Sequence, residues 1–349
     1  MDVKQAKIAI YGAGAMGTVL GALLTKGGLS VDLITRNQAH VESLNTKGAV
    51  ICCEAENTEF TQSVRAILPN QMQEKYDVIF LMTKQRENAK TVEFLLSYLQ
   101  ENGVICTTQN GLPEKGISEI AGTERTYGAV TTFGATFLES GKVAMTSKFQ
   151  AMKMQVGGFE NDESKSGLIV EILSYAGKAI ENEHFAVKTD NLLGARWAKL
   201  AVNGAFSGLS VVTGEKFGVL ARKSRSRKIA LGIIRECIEV ATACGVTLEK
   251  IQGHDAKKML CGNSPINKFI AYLVLPFTMR RHKKLVSGML KDVENGKKCE
   301  IDFINGVVCK LGKEKGVEAP LCDKIVEITH GIENGLYETT YANVNFFEM

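Results

Sequence analysis

The longest apolar run in the sequence is short. It extends from Phe269 to Phe277 and contains Pro276, whereas a membrane-spanning helix needs about 20 apolar residues. The segment Met1–Lys7 also lacks the apolar stretch of a secretion signal. These two absences predict a globular protein that neither crosses a membrane nor is exported.

Metal-ligand patterns and a strong net charge are missing as well. The five histidines are scattered along the chain, with no i, i+4 pair and no nearby cluster of ligand residues, at His40, His184, His254, His282 and His330. We therefore predict no metal site. The nine cysteines include no C-x-x-C pair, which favours reduced thiols and a cytoplasmic location. A net charge of +4 gives no reason to expect a nucleic-acid partner.

What the sequence does contain is an alternation of strand and helix patterns in its first half. Strand patterns are predicted at 7–11, 29–35, 78–82 and 104–108. Helices are predicted at 15–26, from an N-cap at Asn37 through Thr46, and at 86–100, with Gly103 ending that last unit. This alternation of strands and helices predicts an α/β fold, a Rossmann-type doubly wound sheet with helices on both faces. Between 127 and 156 the pattern is β-rich.

The second half has a different pattern. Helical spacing covers 191–212, 227–244, 301–315 and 323–335, and strand patterns nearly vanish after about residue 187. We therefore predict a second, all-helical C-terminal domain. The boundaries are placed at 1–187 for an NADP-binding domain and 188–349 for a helical substrate and dimerisation domain.

A glycine fingerprint, Gly12-Ala13-Gly14-Ala15-Met16-Gly17, follows the first strand and opens the first helix. In a dinucleotide site the first glycine permits a tight turn, the second admits the pyrophosphate, and the third lets the helix pack on the strand. The helix N-terminus then offers free N–H groups to the phosphates. A glycine-rich turn without a ligand is the alternative, but the flanking strand and helix favour a cofactor site.

The end of the second strand indicates which dinucleotide is bound. NAD sites usually have a carboxylate there for the ribose 2′-hydroxyl, but this strand ends in Arg36, and Asp32 lies near its start. An arginine can bind a 2′-phosphate through charge-assisted hydrogen bonds, so we predict NADP(H). Lys84, just after the strand at 78–82, could add positive charge near that phosphate. An ordinary surface arginine at position 36 remains the alternative.

Three further places could carry chemistry. Asn110 precedes Gly111 after a buried strand, as in a ligand loop or a simple turn. Lys199, Asn203 and Ser207 share one face of a helix, which either faces solvent or lines a site. Glu300 begins a long helix, where a carboxylate also suits the helix dipole.

Together these stretches resemble the ketopantoate reductase (2-dehydropantoate 2-reductase) family over nearly the whole chain. The motifs that carry the resemblance occur in the family's order: 12–17, Arg36, Lys84, Gln109-Asn110-Gly111, Trp197-x-Lys199-x-x-x-Asn203, 289–293, 300–306 and 316–320. Their joint occurrence is more specific than any single motif.

The resemblance implies reduction of a 2-oxo acid by NADPH, with 2-dehydropantoate reduced to pantoate on the route to pantothenate and coenzyme A. Lys199 would be the general acid, and Glu300 would position substrate and cofactor and keep Lys199 charged. Asn110 would lie beside the nicotinamide, and Asn203 would hold the substrate. A homodimer would also be compatible with this family.

The sequence departs from the family's pattern at two expected substrate contacts. Ser207 stands where the family often has a second asparagine, and Gly288 stands where serine is common, with Ser287 one residue earlier. The segment 253–285 is also longer than usual. It is either a helical insertion on the surface or at a dimer contact, or a lid or reshaped pocket with extra positive charge for an acidic substrate.

These departures leave two alternatives open. One is a related reductase that acts on a different 2-oxo acid or on an imine. The other is a sensor that binds NADPH without catalysis, against which the joint retention of Lys199, Asn203 and Glu300 argues.

Overall fold

The computed structural model describes residues 2–161, 163–251, 253–262 and 264–348, apart from the side chains of Asn161 and Arg281. The chain divides into two compact units. Unit 1 comprises Met1–Gln109 and Pro113–Leu192, and unit 2 comprises Asn110–Leu112 and Leu193–Met349. The division therefore falls at Leu192, a few residues beyond the boundary expected from the sequence, and the short Asn110–Leu112 loop groups with unit 2.

Unit 1 combines strands with five helices. Its strands are β1 Ile8–Tyr11, β2 Val31–Ile34, β3 Ala49–Cys53, β4 Thr58–Gln62, β5 Arg65–Ile67, β6 Tyr76–Leu81, β7 Leu99–Thr107, β8 Thr126–Thr131, β9 Ala135–Glu139, β10 Lys142–Met145, β11 Met154–Gly158 and β12 Ala186–Lys188. Its helices are α1 Ala15–Lys26, α2 Gln38–Lys47, α3 Asn88–Leu96, α4 Glu114–Ala121 and α5 Ser166–Lys178.

The main sheet has the strand order β12-β11-β8-β7-β6-β1-β2-β5. All its neighbouring strands run parallel except β11 and β8. One face packs on α1 and α5 and the other on α3 and α4, so the predicted doubly wound α/β class is confirmed. A second sheet, β4-β3-β10-β9, packs beside α1.

The register aligns the ends of the central strands. Tyr11 pairs with Ile34 of β2 and with Leu81 of β6, and Leu81 pairs with Thr107 of β7. Four neighbouring strands therefore end at one level, and the loops after them meet at one sheet edge. The chain order reverses between β1 and β6, and ligands of open α/β sheets bind at such a reversal.

The prediction of a helix at 86–100 was wrong at its C-terminal end, because the helix ends earlier than predicted. Helix α3 ends at Leu96, and Leu99 begins β7 by pairing with Tyr76. Gly103, expected to terminate the helical unit, lies inside β7, where a side chain would come within 2.7 Å of the Tyr76 carbonyl oxygen. Sheet pairing overrides the helical spacing of this stretch.

Unit 2 is built from helices: α6 Leu192–Thr213, α7 Phe217–Arg222, α8 Ser224–Ala243, α9 Ala256–Leu260, α10 Pro265–Thr278, α11 Gly288–Glu294, α12 Ile301–Lys315 and α13 Pro320–Glu333. Across the described ranges of this unit, the only β feature is one bridge between Ile251 and His254. The predicted helical C-terminal half is confirmed. Short 3-10 helices complete the chain at Val3–Gln5, Pro69–Gln71, Gln85–Glu87, Thr123–Arg125, Phe149–Ala151, Phe159–Asn161, Met279–His282 and Tyr341–Phe346.

Small residues of α6 let α12 and α13 approach closely. A side chain at Gly208 would meet Ile325 of α13 at 2.7 Å and the Asn305 amide of α12 at 2.9 Å. Asn305 is fully buried and donates from Nδ2 to the Gly204 carbonyl oxygen at 3.2 Å. No helix in the described parts of the chain is long and apolar enough to cross a membrane.

Candidate functional site

The glycine fingerprint forms a loop at the carboxyl edge of β1. Gly12 has a φ of +107°, and a side chain there would come within 2.6 Å of the Thr83 backbone nitrogen. At Gly17 a side chain would approach the Gly12 carbonyl oxygen to 2.5 Å. Both positions therefore require glycine, the first for its backbone conformation and both for close packing.

Gly14 is different from the other two glycines. A side chain there would meet no atom within 4 Å, and the residue caps the N-terminus of α1 while exposed to solvent. The free space lies where the first turn of a helix presents its unsatisfied N–H groups. This loop fits a dinucleotide pyrophosphate, because room, backbone donors and the positive end of a helix coincide there.

The loop is joined to the ends of both neighbouring strands. The backbone N–H groups of Gly12 and Ala13 each donate to the Ile34 carbonyl oxygen at 2.9 Å, two residues before Arg36. On the other side the loop touches Met82 and Thr83, next to Lys84. The structure therefore brings Arg36 and Lys84 to the two flanks of the glycine loop, and both side chains are exposed.

The two charged residues of the β2 region have different environments: Asp32 is buried and Arg36 is exposed. Asp32 is buried, accepts a hydrogen bond from the Tyr76 hydroxyl at 2.7 Å and lies 3.2 Å from Arg65. It is thus held away from the strand's carboxyl end. Burial raises the pKa of Tyr11, and the positive charge of Arg36 acts in the opposite direction, which places Arg36 near the end of β1.

Gln109, which the sequence indicated only as part of the Gln109-Asn110-Gly111 motif, connects two loops through its side chain. Its amide nitrogen donates to the Thr83 carbonyl oxygen and to Asn88 Oδ1, both at 2.7 Å. Its amide oxygen accepts from Thr107 Oγ1 at 2.9 Å and from Asn88 Nδ2 at 3.0 Å. One side chain therefore ties together the loops after β6 and β7 immediately before Asn110. A polar residue directly after a buried strand was the available signal.

In unit 2, Lys199, Asn203 and Ser207 lie one turn apart along α6, and each is partly buried. Arg196, one turn before Lys199, is 1% exposed. Burial and the positive charge of Arg196 lower the pKa of Lys199 to about 7. This lowered pKa opposes the charged state that pairing with Glu300 is expected to favour, because burial and the charge of Arg196 make the Lys199 proton easier to release.

Ser287 and Gly288 stand at the start of α11. The Ser287 hydroxyl caps the helix by accepting from the Met289 N–H at 3.1 Å, and the Ser287 N–H lies 3.4 Å from Ser210 Oγ on α6. This helix start is therefore beside the α6 turn that carries Ser207. Gly288 is exposed, and a side chain there would meet nothing within 4 Å.

Glu300 is the N-cap residue of α12 and is partly buried. A pair of side chains from α13 holds the chain around it. Glu333 Oε1 accepts from the Cys299 N–H at 2.7 Å, and His330 bridges Glu333 at 3.1 Å and Asp302 at 2.8 Å. We call Glu333 and His330 the α13 clamp; no sequence pattern pointed to it.

Ionisation within the α13 clamp favours its hydrogen bonds. Burial opposes charge on His330, but its contacts with Asp302 and Glu333 raise the pKa of the ring. Burial likewise opposes charge on Glu333, while the Cys299 and His330 contacts lower its pKa. Within the described ranges, including the α13 clamp, no group of three His, Cys, Asp or Glu side chains is arranged to hold a metal ion.

Comparison with known proteins places this architecture in one family. The family model described as ketopantoate reductase PanE/ApbA matches residues 8–158, and the model of its C-terminal part matches residues 191–333. The chain belongs to the ketopantoate reductase family. It is therefore an oxidoreductase with a nicotinamide-cofactor fold, and the predicted family is confirmed.

Individual relatives resemble the chain over nearly their full length. The 2-dehydropantoate 2-reductase of Pyrococcus horikoshii is 28% identical over 320 residues, which cover 90% of this chain and 93% of the relative. The solved structure of a 2-dehydropantoate 2-reductase from Geobacter metallireducens is 26% identical, with a TM-score of 0.76 and coverage of 93% and 99%. A D-mandelate dehydrogenase solved with NADH and anilino(oxo)acetate shares the fold at 24% identity, with a TM-score of 0.78 and coverage of 95% and 99%.

Proposed function

We propose that this ketopantoate reductase family member uses NADPH to reduce a 2-oxo acid to the 2-hydroxy acid, and that 2-dehydropantoate is the substrate to test first. The observation that carries the proposal is Lys199, a partly buried amine with a pKa lowered to about 7 on the same helix face as Asn203 and Ser207. A general acid is most effective when its pKa lies near the working pH.

In the proposed reaction, Lys199 donates a hydrogen bond to the ketone oxygen and then its proton. NADPH, when bound, would supply the hydride to the ketone carbon. The positive charge of Lys199 stabilises the oxyanion that develops on that oxygen. Asn203 orients the substrate from the next turn of α6. Glu300, next to the residues held by the α13 clamp, would position substrate and cofactor, and Asn110 would lie beside the nicotinamide ring.

For the cofactor we propose NADPH rather than NADH. The glycine loop accommodates the pyrophosphate of either. Support for NADPH comes from Arg36, which is exposed beside the glycine loop where an NAD site would present a carboxylate, and from Lys84 on the loop's other flank. Asp32 cannot take the carboxylate role while Tyr76 and Arg65 hold it.

Substrate tests should measure NADPH oxidation over a panel of 2-oxo acids that includes 2-dehydropantoate. Turnover of 2-dehydropantoate with a higher kcat/KM than other acids is the expected result. If the protein reduced only another acid, 2-dehydropantoate would be excluded as its substrate, but the proposed reaction type would stand. If no 2-oxo acid or imine is reduced, the proposed reaction is wrong, and NADPH binding without turnover would support the sensor alternative.

The pH dependence of reduction should follow Lys199. A general acid must carry its proton, and the protonated fraction falls about tenfold per pH unit above its pKa. We therefore expect kcat/KM for reduction to decline above pH about 7, and the reverse oxidation to rise over the same range. Steady-state rates from pH 5.5 to 9.5 measure this, and a reduction rate that is flat to pH 9 would contradict it.

The α13 clamp gives a prediction about substrate binding. Replacing Glu333 by alanine removes the acceptor for the Cys299 N–H and should let Glu300 move. We expect substrate KM to rise about tenfold, because a hydrogen bond to a charged group contributes roughly 1.5–3 kcal/mol, with a smaller effect on kcat. Glu333→Gln keeps an acceptor oxygen and should recover most of the loss. Equal losses in both variants, or a change in kcat alone, would argue against positioning.

We also propose a homodimer formed through the outer face of α10. Ile266, Phe269, Ile270, Leu273 and Phe277 follow helical spacing and are 40–80% exposed, with Phe277 at 75%. Soluble proteins rarely expose such a continuous apolar stripe without a partner. A related ketopantoate reductase from Staphylococcus aureus is described as dimeric, which supports a second copy as the partner.

Light scattering coupled to gel filtration would test the dimer. We expect wild-type protein to have twice the mass of the chain, and the double variant Phe269→Glu/Phe277→Glu to be monomeric. Leu336→Glu is a matched control, because Leu336 is also 75% exposed but lies outside α10. A monomeric wild type, or an unchanged dimer in the double variant, would refute this interface.

The proposed cytoplasmic location is supported by the cysteines. All nine are free thiols, including the adjacent Cys52 and Cys53. Free buried thiols are typical of proteins in a reducing compartment.

A further inference from the structure

A positively charged recess lies on unit 2 near the C-terminal end of α10. It has a volume of about 400 Å³, within the range of small-molecule sites. The residues that line it are basic or apolar: Arg222, Pro276, Phe277, Arg280 and Lys283. None of them belongs to α6, so the recess is separate from the helix face that carries Lys199, and no step of the proposed reaction uses it.

The basic residues of the recess come from distant parts of the sequence. Arg222 ends α7 and begins the basic run Arg222-Lys223-Ser224-Arg225-Ser226-Arg227-Lys228. Arg280 and Lys283 follow α10 in the long segment 253–285. One expectation for that segment was extra positive charge for an acidic substrate, but the fold places these two cations in one recess with Arg222.

Other cations of the basic run are occupied within the protein. Arg225 donates to two carbonyl oxygens near the C-terminus, at 2.9 and 3.0 Å, and Lys223 lies 3.0 Å from Glu215. In the described parts of the chain, the side chains of the three basic residues in the recess have no hydrogen bond or ion pair, and all three are exposed. Their charge is therefore available to a ligand.

Packing of α7 against α10 and the segment after it fixes the recess. The Gly218 N–H donates to the Lys283 carbonyl oxygen at 3.3 Å, and a side chain at Gly218 would come within 2.7 Å of that oxygen. Arg227 donates to the carbonyl oxygens of Arg222 at 2.6 Å and of Tyr272 in α10 at 3.3 Å. The three cations are therefore held around one space by the fold itself.

We propose that this recess binds a small molecule with two or more adjacent phosphate groups, as a second anion site besides the glycine loop. A recess lined by charges of one sign concentrates their potential and attracts a multivalent anion. Arginine suits phosphate in particular, because its planar guanidinium forms paired hydrogen bonds with two oxygens. Pro276 and Phe277 offer apolar contacts to the remainder of the ligand. The small size of the recess and a net charge of only +4 favour a compact ligand over nucleic acid.

Calorimetric titration of the full chain with pyrophosphate tests the proposal. We expect two sites in wild-type protein, because the glycine loop also suits a pyrophosphate. Gly14→Val fills the free space in that loop and should remove one site. Arg222→Gln/Arg280→Gln removes two cations from the recess and should weaken the other site at least about tenfold, since hydrogen bonds to charged groups are lost. Lys228→Gln is the matched control and should leave both sites unchanged, because Lys228 is an exposed cation of the same basic run outside the recess.

Lys283→Gln covers the case in which the double variant does not fold, as judged by its thermal unfolding, and should weaken the same site. Orthophosphate should bind there at least about tenfold more weakly than pyrophosphate, because a single phosphate group reaches fewer of the cations. The proposal is overturned if Lys228→Gln and the double variant weaken binding equally, or if orthophosphate or citrate binds as tightly as pyrophosphate. Tighter binding of a single-stranded RNA through the same residues would also overturn it, in favour of a nucleic-acid site.

The recess borders the proposed dimer contact, because Phe277 belongs to both. The charge variants leave Phe277 unchanged, so their mass by light scattering separates the two proposals. Loss of pyrophosphate binding at the wild-type mass supports the anion site in the recess. Loss of binding only together with a change of mass would overturn it as an independent site.

Discussion

Replacing Lys199 by alanine is expected to lower kcat for reduction by about 10²–10⁴-fold, the usual contribution of a positioned general acid. The ketone oxygen would lose both its proton donor and the positive charge that stabilises the developing oxyanion. NADPH affinity should change little, because the contacts that we propose for its phosphates, at the glycine loop, Arg36 and Lys84, lie in unit 1. Pre-steady-state NADPH oxidation and fluorescence titration of the cofactor measure the two effects separately.

The matched control for this variant is Lys216→Ala. Lys216 is an exposed lysine in the same unit, just before α7. Its replacement by alanine therefore removes an equal charge outside the proposed site. Its rate should match that of wild type. If Lys199→Ala reduced the substrate at the wild-type rate, the proton would come from another group or from water, and the mechanism would be wrong.

Replacing Arg36 by alanine is expected to weaken NADPH binding about 10- to 100-fold, because each lost charge-assisted hydrogen bond costs roughly 1.5–3 kcal/mol. NADH lacks the 2′-phosphate, so its affinity should stay nearly constant and cofactor preference should shift towards NADH. Calorimetric titration with both cofactors measures the shift. The effect on NADPH should also shrink as salt concentration rises, since Arg36 is exposed.

Lys47→Ala provides the comparison for Arg36. Lys47 is an exposed cation at the far end of α2, the helix that follows Arg36, and its loss should affect both cofactors equally and weakly. Wild-type protein that binds NADPH and NADH with the same affinity would overturn the NADPH assignment, whatever the variants do.

The sequence alone predicted the fold class and most helices because these depend on local periodicity. The glycine fingerprint could be recognised for the same reason, since its spacing and flanking pattern are local. Asn37 was correctly placed as a helix N-cap, where its side chain accepts from the His40 N–H at 3.2 Å. Prediction failed at Leu99 and Gly103, because pairing with Tyr76 in a neighbouring strand overrode the helical spacing.

For the candidate site, too, local motifs could be predicted and contacts between distant residues could not. Residue types at Arg36, Lys199 and Glu300 could be read from the order of motifs, but the contacts that control them join residues distant in sequence. Gln109 is held by Thr83 and Asn88, and Glu333 holds the chain at Cys299 from 34 residues away. No spacing rule links such pairs, so the contacts of Gln109 and Glu333 could not be predicted.

The sequence by itself determined that this protein has a dinucleotide fold joined to a helical unit and belongs to a reductase family. The tertiary structure decided what the environments do to the chemistry. Pairing with Glu300 was expected to keep Lys199 charged, whereas burial and the charge of Arg196 lower the pKa of Lys199 to about 7. Tertiary packing also places residues of the segment 253–285 in the wall of an apolar pocket of unit 2. Desolvation and packing depend on atoms brought together from several helices, which is why neither could be read from the order of residues.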